Sequence, residues 1–351
     1  MDKLSKIEDV WHLINIHNSF ISIPRVRKYL RNLKLSDFQL SKSQKEEIND
    51  FWNKYDIHFP YDWHKLFYGI TGNYNPTFVP DNIFHHAIKN HLNNKTFATV
   101  WSDKCYLDKF LNNITTPHCI VRNVNGRFLN EKFEIIDIKT SQSLMNKYET
   151  LVIKPSILTD TGKGVQLLSY PYNLLDLHKE YKKNYIIQIP IIQHEKMKLL
   201  NASSVNTIRM NSALFDTEAV ILSSFVKVGQ QGSFADNNGH DRFFIGIGDN
   251  GMYKDYAIDH DLKRYINIPS GFVFSGQSVP SYDLACEMVK NAHKNFPHFG
   301  LAFWDVCINK DGNPMIIEVN LRSPDSYVPQ AAVGPFFGNY TDTILDYIKK
   351  S

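Results

Sequence analysis

Trp304-Asp305-Val306-Cys307-Ile308-Asn309-Lys310-Asp311-Gly312-Asn313-Pro314-Met315-Ile316-Ile317-Glu318-Val319-Asn320 reads as two apolar strands joined at Asp311-Gly312. That dipeptide favours a tight hairpin because glycine accepts the positive φ such turns need. Counting outward from a two-residue turn sets Asp305 directly opposite Glu318. Asn320 then projects from the same face, since side chains alternate along a strand. Two carboxylates facing each other across a ladder repel. The arrangement makes physical sense with a hard cation such as Mg²⁺ between them, held by Asp305, Glu318 and Asn320. The competing reading is a surface hairpin whose acids splay into water.

Two cationic positions stand out upstream. Leu151-Val152-Ile153-Lys154-Pro155-Ser156 ends an apolar strand on a lysine, and a buried ammonium without an anion is costly. Shortly after it, Asp160-Thr161-Gly162-Lys163-Gly164-Val165 forms a glycine-bearing turn whose backbone N–H groups suit phosphate oxygens. The turn lacks the spacing of a P-loop or a dinucleotide fingerprint, and by itself it reads equally as a hairpin turn with a solvated lysine. Arg209 lies in the strand-like run Asn206–Leu214, with Ile208 and Met210 on the opposite face. Its planar fork calls for an anion there, either a substrate carboxylate or acyl phosphate or one of the chain's own acids.

Composition bounds the rest. The 351 residues, 43% of them hydrophobic, suffice for a sizeable core divided into two or three lobes. A net charge of +3 with no block of like charges argues against a nucleic-acid partner. Cys105, Cys119, Cys286 and Cys307 form no CxxC pair, so reduced thiols and a cytoplasmic setting are expected. The first fifteen residues lack a signal-peptide pattern, and no apolar run is long enough for a transmembrane segment. Along the chain, residues 1–98 read as a helical lobe. Residues 99–187 alternate short strands (FATVW, HCIVRNV, TLVIKPS, GVQLLS) with short helices, and 188–351 carry longer strands, a helix near 281–295 and the acidic hairpin. The fold class expected is α+β.

Taken together, Asp103-Lys104, Lys154-Pro155 and Asp305…Glu318-Val319-Asn320 resemble the ATP-grasp superfamily. The order of Phe78-Val79-Pro80-Asp81, Val121-Arg122-Asn123-Val124-Asn125-Gly126, Gln193-His194, Ser204-Val205-Asn206-Thr207-Ile208-Arg209, Lys227-Val228-Gly229, Gly232-Ser233, Asp236-Asn237, Phe274-Ser275-Gly276 and Phe303-Trp304-Asp305 is similar to the sugar-transfer-associated branch found in bacterial surface-polysaccharide loci. That resemblance implies a helical N-terminal lobe, a lid over 99–187 and a C-terminal lobe over 188–351, gripping ATP with Mg²⁺.

By the same resemblance, Lys104 and Lys154 neutralise the α and β phosphates while Gly162, Lys163 and Gly164 close over the γ-phosphate. The hinge Gln188, Ile189 and Ile191 reads adenine and Glu195 meets the ribose; Gln188 departs from the glutamate expected at the hinge start. Arg209, Lys227 and Arg322 are the catalytic candidates, with Asn237 or Asn238 beside them. Gln193-His194 is either structural or acceptor-side. The activity implied is ATP-dependent ligation of a small-molecule carboxylate to an amine, either of them sugar-linked. A kinase on the same fold and a non-catalytic glycan-locus binding protein are the alternatives.

Overall fold

The computed structural model describes residues 22–350 apart from 94, 158–162, 235–241 and 323–325 and the side chains at 86, 87 and 95. Gly162, Asn237 and Asn238 therefore lie outside the described residues.

The first of two antiparallel sheets joins β1 (Cys119–Val124), β2 (Arg127–Leu129), β3 (Ile135–Ile136), β4 (Thr150–Pro155), β5 (Gln166–Ser169) and β6 (Tyr185–Gln188) in the order β3-β2-β1-β6-β4-β5. Asn125-Gly126, both at positive φ, make the β1–β2 turn, with Val124 opposite Arg127. One face packs Val121, Leu151, Ile153, Tyr185 and Ile187 against the helices Ile138–Met145 and Leu174–Tyr181. On the other face Lys154, Ile186 and Arg122 lie in one cross-strand row.

The second sheet comprises β7 (Thr207–Phe215), β8 (Glu218–Val228), β9 (Phe243–Ile247), β10 (Tyr253–Ile258), β11 (Arg264–Tyr265), β12 (Leu301–Ile308) and β13 (Pro314–Asn320), ordered β11-β10-β9-β8-β7-β12-β13. Strand alternation sends Ile208, Met210, Val226, Trp304 and Val306 to one face, where they bury against Ala285, Val289 and Ala292 of the helix Tyr282–Lys294. The opposite face is covered over much of its length by N-terminal helices. Phe84, Ile88 and Leu92 pack with Leu301 and Phe303. Trp63, Phe67 and Phe78 pack with Phe225, Phe244 and the helix Tyr327–Ala332. The N-terminal helices thus share their cores with the second sheet.

Two expectations need correction. The run FATVW is not a strand: it lies in the helix Lys95–Trp101. Strand propensity is weak against packing, and Ala98 and Trp101, three residues apart, turn inward together, with Trp101 meeting Phe110, Phe296 and Phe299. The acidic hairpin does pair Asp305 with Glu318, but not through a two-residue turn. Asn309 donates its N–H to the Asn313 carbonyl, leaving a three-residue loop, Lys310 to Gly312, with Gly312 at φ 82°. Next to the loop Val306 faces Ile316, and an extra residue at Ile317 bulges to restore Asp305↔Glu318. Two one-residue irregularities cancel.

Gly246 on β9 seats the helix Tyr327–Ala332, since a Cβ there would sit 2.1 Å from the Ala332 carbonyl oxygen. A backbone atom cannot step aside as a flexible side chain does. Gly246→Ala is therefore expected to destabilise the protein by about 1–3 kcal/mol in urea unfolding, whereas Gly72→Ala, at a helix end with open space, loses only its left-handed backbone preference. An unfolding midpoint for Gly246→Ala equal to that of the parent would disprove this close approach.

Candidate active site

The charged residues gather where the two sheets meet. Register alone sets Glu318, Asp305 and Arg209 in one row across β13, β12 and β7. Phe225 continues the row on β8, and Lys227, two residues on, projects from the same face. The Arg209 fork grips the Asp305 carboxylate with both arms, Nε to Oδ1 at 2.6 Å and Nη2 to Oδ2 at 3.1 Å. Lys227 Nζ donates to Oδ2 at 2.8 Å. Asp305 is 2% exposed and so relies on these partners rather than on water. Burial pushes its carboxyl up, against the pull of Arg209 and Lys227.

Glu318 is served from the first sheet's side. Lys104 Nζ lies 3.0 Å from its Oε2, and Asn320 Nδ2 donates to its Oε1 at 3.2 Å. Burial alone would push the Glu318 carboxyl up, but Lys104 and the other nearby donors outweigh it and hold the group well below the usual carboxylate range. Lys104 gains in return. Burial lowers its pKa, yet Glu318 prevails and the ammonium is held above its ordinary value.

Lys104 is placed by its short turn. The Asp103 side chain accepts from the Cys105 N–H at 2.9 Å, and the Lys104 N–H donates to the Ser156 carbonyl at 3.1 Å, just past β4. Arg122, 1% exposed, anchors the same segment from β1. It donates through Nε to the Cys105 carbonyl at 2.8 Å and forms an ion pair with Asp108. Sequence reading noted Arg122 only as part of a motif. Its neighbours along the strand carry no hint that its work is to hold the lysine-bearing turn.

Lys154 has no carboxylate at ion-pair distance among the described residues. Burial, reinforced by the adjacent Lys104, pushes its pKa down to about 8, with Glu318 and the Cys307 thiol pulling weakly the other way. Nearby, Gly164 at φ 78° lies against Pro155, its carbonyl accepting from Tyr181 at 2.7 Å, while Lys163 is exposed.

The remaining expected residues are more scattered. Gln188 donates to the Pro117 carbonyl at 3.2 Å, and the Ile189 N–H is taken by the His118 carbonyl at 3.0 Å; Ile191 is half-buried. Glu195, exposed, opens a short helix and pairs with Lys198 at 2.6 Å. Arg322 is half-buried two residues past Asn320. Gln193 is hydrogen-bonded inside the fold. It donates to the Asn201 and Ser204 carbonyls and accepts from Asn206, while His194 caps the Glu195–Lys198 helix.

The sequence pattern of the family described as sugar-transfer associated ATP-grasp matches residues 84–341. The chain belongs to that family. Its two sheets are those of the ATP-grasp fold. Among solved structures, an L-amino acid ligase from Bacillus licheniformis shares 16% identity over 72% of this chain and 49% of its own length, with a TM-score of 0.42. This chain thus spans about half of that ligase. A D-alanine–D-alanine ligase from Bacillus anthracis shares 17% identity over 74% of this chain and 69% of its own, with a TM-score of 0.41. The biotin carboxylase domain of the Hydrogenobacter thermophilus 2-oxoglutarate carboxylase, solved with MgADP and bicarbonate, shares 12% identity over 73% and 48%, with a TM-score of 0.45. No curated protein matches the chain significantly.

For this ATP-grasp chain the donor set can be tested directly. Asp305, Glu318 and Asn320 offer only oxygen ligands on adjacent positions of one face, the hard donor chemistry Mg²⁺ takes. No cluster of three or more His, Cys, Asp or Glu side chains able to hold a metal occurs among the described residues, so a cation here would need further oxygens from a ligand such as a phosphate. The set fits on those terms. Four cations, Lys104, Lys154, Arg209 and Lys227, surround two carboxylates, a surplus suited to a polyphosphate.

A lysine whose folded pKa falls to about 8 holds its proton less tightly than the unfolded chain does at 10.5. It therefore destabilises the fold in full below pH 8 and progressively less as pH rises toward 10.5. Lys154→Met, of similar length without the charge, should raise unfolding stability at pH 7 by an amount on the order of a few kcal/mol. The gain over the parent should shrink by pH 9.5. Denaturant unfolding at both pH values measures it, and a stability loss at pH 7 would show that Lys154 is already paired.

Proposed function

We propose that this chain is an ATP-dependent carboxylate–amine ligase, working in the assembly of bacterial surface polysaccharide or another glycoconjugate. One observation carries the reading. A carboxylate pair with an amide, on one strand face of the second sheet, is met by two lysines arriving from the first-sheet side, one of them with no carboxylate at ion-pair distance among the described residues. The family's association with sugar transfer supports the glycan setting.

In this reading, residues 99–187 form the lid and 188–351 the base, with 1–98 a helical lobe on the base. Lys104 and Lys154 clamp the α and β phosphates, and the 162–164 turn closes over the γ-phosphate. Residues 188–191 face the adenine and Glu195 the ribose. Asp305, Glu318 and Asn320 hold Mg²⁺, which neutralises charge on the phosphate oxygens when bound.

The substrate carboxylate attacks the γ-phosphorus and ADP leaves, giving an acyl phosphate. The amine then attacks the acyl carbon, phosphate departs, and the nitrogen gives up its proton as the amide forms. Arg209, Lys227 and Arg322 stabilise the negative charge that builds on the acyl phosphate and the tetrahedral oxygen. No protein nucleophile is required. The work of the chain is to position the reactants and exclude water.

Mg²⁺-ATP should bind and raise the thermal midpoint. Asp305→Asn and Glu318→Gln should each lower turnover by roughly 10²–10³-fold while the fold persists by circular dichroism. The assay supplies a panel of uronic acids and amino acids with an amine, follows phosphate release and traps the acyl phosphate as a hydroxamate. Wild-type turnover in both variants would remove the metal assignment, and a phosphorylated alcohol among the products would replace ligation with kinase chemistry.

A further inference from the structure

Both oxygens of Asp305 are already taken. Oδ1 receives Arg209 Nε, and Oδ2 receives both Arg209 Nη2 and Lys227 Nζ. This carboxylate is the most buried member of the donor set, so no water layer separates it from those cations. A divalent ion brought within bonding distance of Asp305 would meet two positive groups a few ångströms away, and like charges so close in a buried site repel strongly. One must withdraw.

The two cations differ in freedom to do so. Lys227 has 5% of its side chain exposed, while Arg209 has 18% and lies directly across the ladder from Asp305. Resting on the reading of Asp305 and Glu318 as metal ligands, we propose that Arg209 is the internal counter-ion of the metal-free site. A divalent cation takes its place on Asp305 and turns the guanidinium toward the bound anionic substrate. Arg209 is then a binding residue whose availability is set by the metal.

Two consequences follow from linkage. The bare protein binds a divalent cation weakly, because the ion must displace an arginine. Cation and polyphosphate strengthen each other's binding, because the released guanidinium gains a new anion, and the coupling is the same read from either side.

The test is Mn²⁺ binding, followed by electron paramagnetic resonance and calorimetry, with and without a non-hydrolysable ATP analogue. Arg209→Gln should tighten Mn²⁺ binding to the nucleotide-free protein at least tenfold and should diminish the gain that the analogue provides. Lys154→Met removes one positive charge from the same neighbourhood without touching Asp305, so it reports the long-range effect and should tighten binding less than threefold. Arg209→Lys keeps the charge but loses the fork, and it should shift affinity in the same direction by less; it also serves if the glutamine variant fails to fold.

Equal shifts for Arg209→Gln and Lys154→Met, or no tightening in Arg209→Gln, would overturn the displacement. If Mn²⁺ binds neither with nor without the analogue, or binds unchanged in Asp305→Asn, the metal site itself falls. Binding that is lost in Asp305→Asn yet indifferent to Arg209→Gln leaves the metal site standing and removes only the arginine exchange.

Discussion

The buried carboxylate of Asp305 is the constraint around which the second sheet is arranged. It lies on β12 between Glu318 on one neighbouring strand and Arg209 on the other, with Lys227 reaching it from one strand further. A charge at 2% exposure is tolerable only if every oxygen is bonded. The three donors come from β7 and β8, so moving either strand by one residue would leave an unpaired charge in the interior. A well-packed apolar set of the same volume would often be as stable or more so. Keeping the ions makes sense where their chemistry is used.

The same face of the sheet changes character along its length. Toward the loop end it carries Arg209, Asp305 and Lys227, while Phe225, beside Arg209 on β8, and Leu301, Phe303 and Ala213, further along the strands, vanish under the N-terminal helices. One half anchors the helices and the other half carries the charges. The helix Tyr282–Lys294 supports the reverse side through Ala285, Val289 and Ala292, so the charged row stands on a rigid, fully packed strand pair. From the first sheet, Arg122 fixes the turn that presents Lys104, and Lys104 in turn contacts Glu318. The segment that leads into β1 is joined to β13 at this site by the Lys104–Glu318 ion pair and by backbone bonds such as Ile316 N–H to the Thr115 carbonyl.

Electrostatically the site is unfinished. Glu318 is held below its usual range by Lys104, and Asp305 is pushed up by burial despite its partners. Burial and the neighbouring Lys104 drive Lys154 down to about 8. An added polyphosphate would raise the Lys154 pKa again and supply the further oxygens that a hard cation beside the two carboxylates and the amide would need. The fold thus gives up stability at the positions where a ligand would restore it.

Sequence by itself determined the elements with strong local signals. Alternation defined β7, β8, β12 and β13 and the faces of Arg209 and Asp305, the motif order announced the family, and helical periodicity marked 281–295. It failed where local preference and packing disagree. FATVW has strand-like residues, yet Ala98 and Trp101 are drawn into the core at helical spacing. The Asp305–Glu318 pairing came out right although the turn was wrong, because a three-residue loop and the bulge at Ile317 offset each other, and a bulge leaves no mark in an apolar run. Only the tertiary structure decided which charge meets which. That Arg209 and Lys227 close on Asp305, that Lys104 reaches Glu318 from a turn upstream of β1, and that Lys154 has no carboxylate at ion-pair distance among the described residues all depend on residues far apart in the chain. Spacing along one strand carries no information about a lysine delivered from a turn about two hundred residues upstream in the chain.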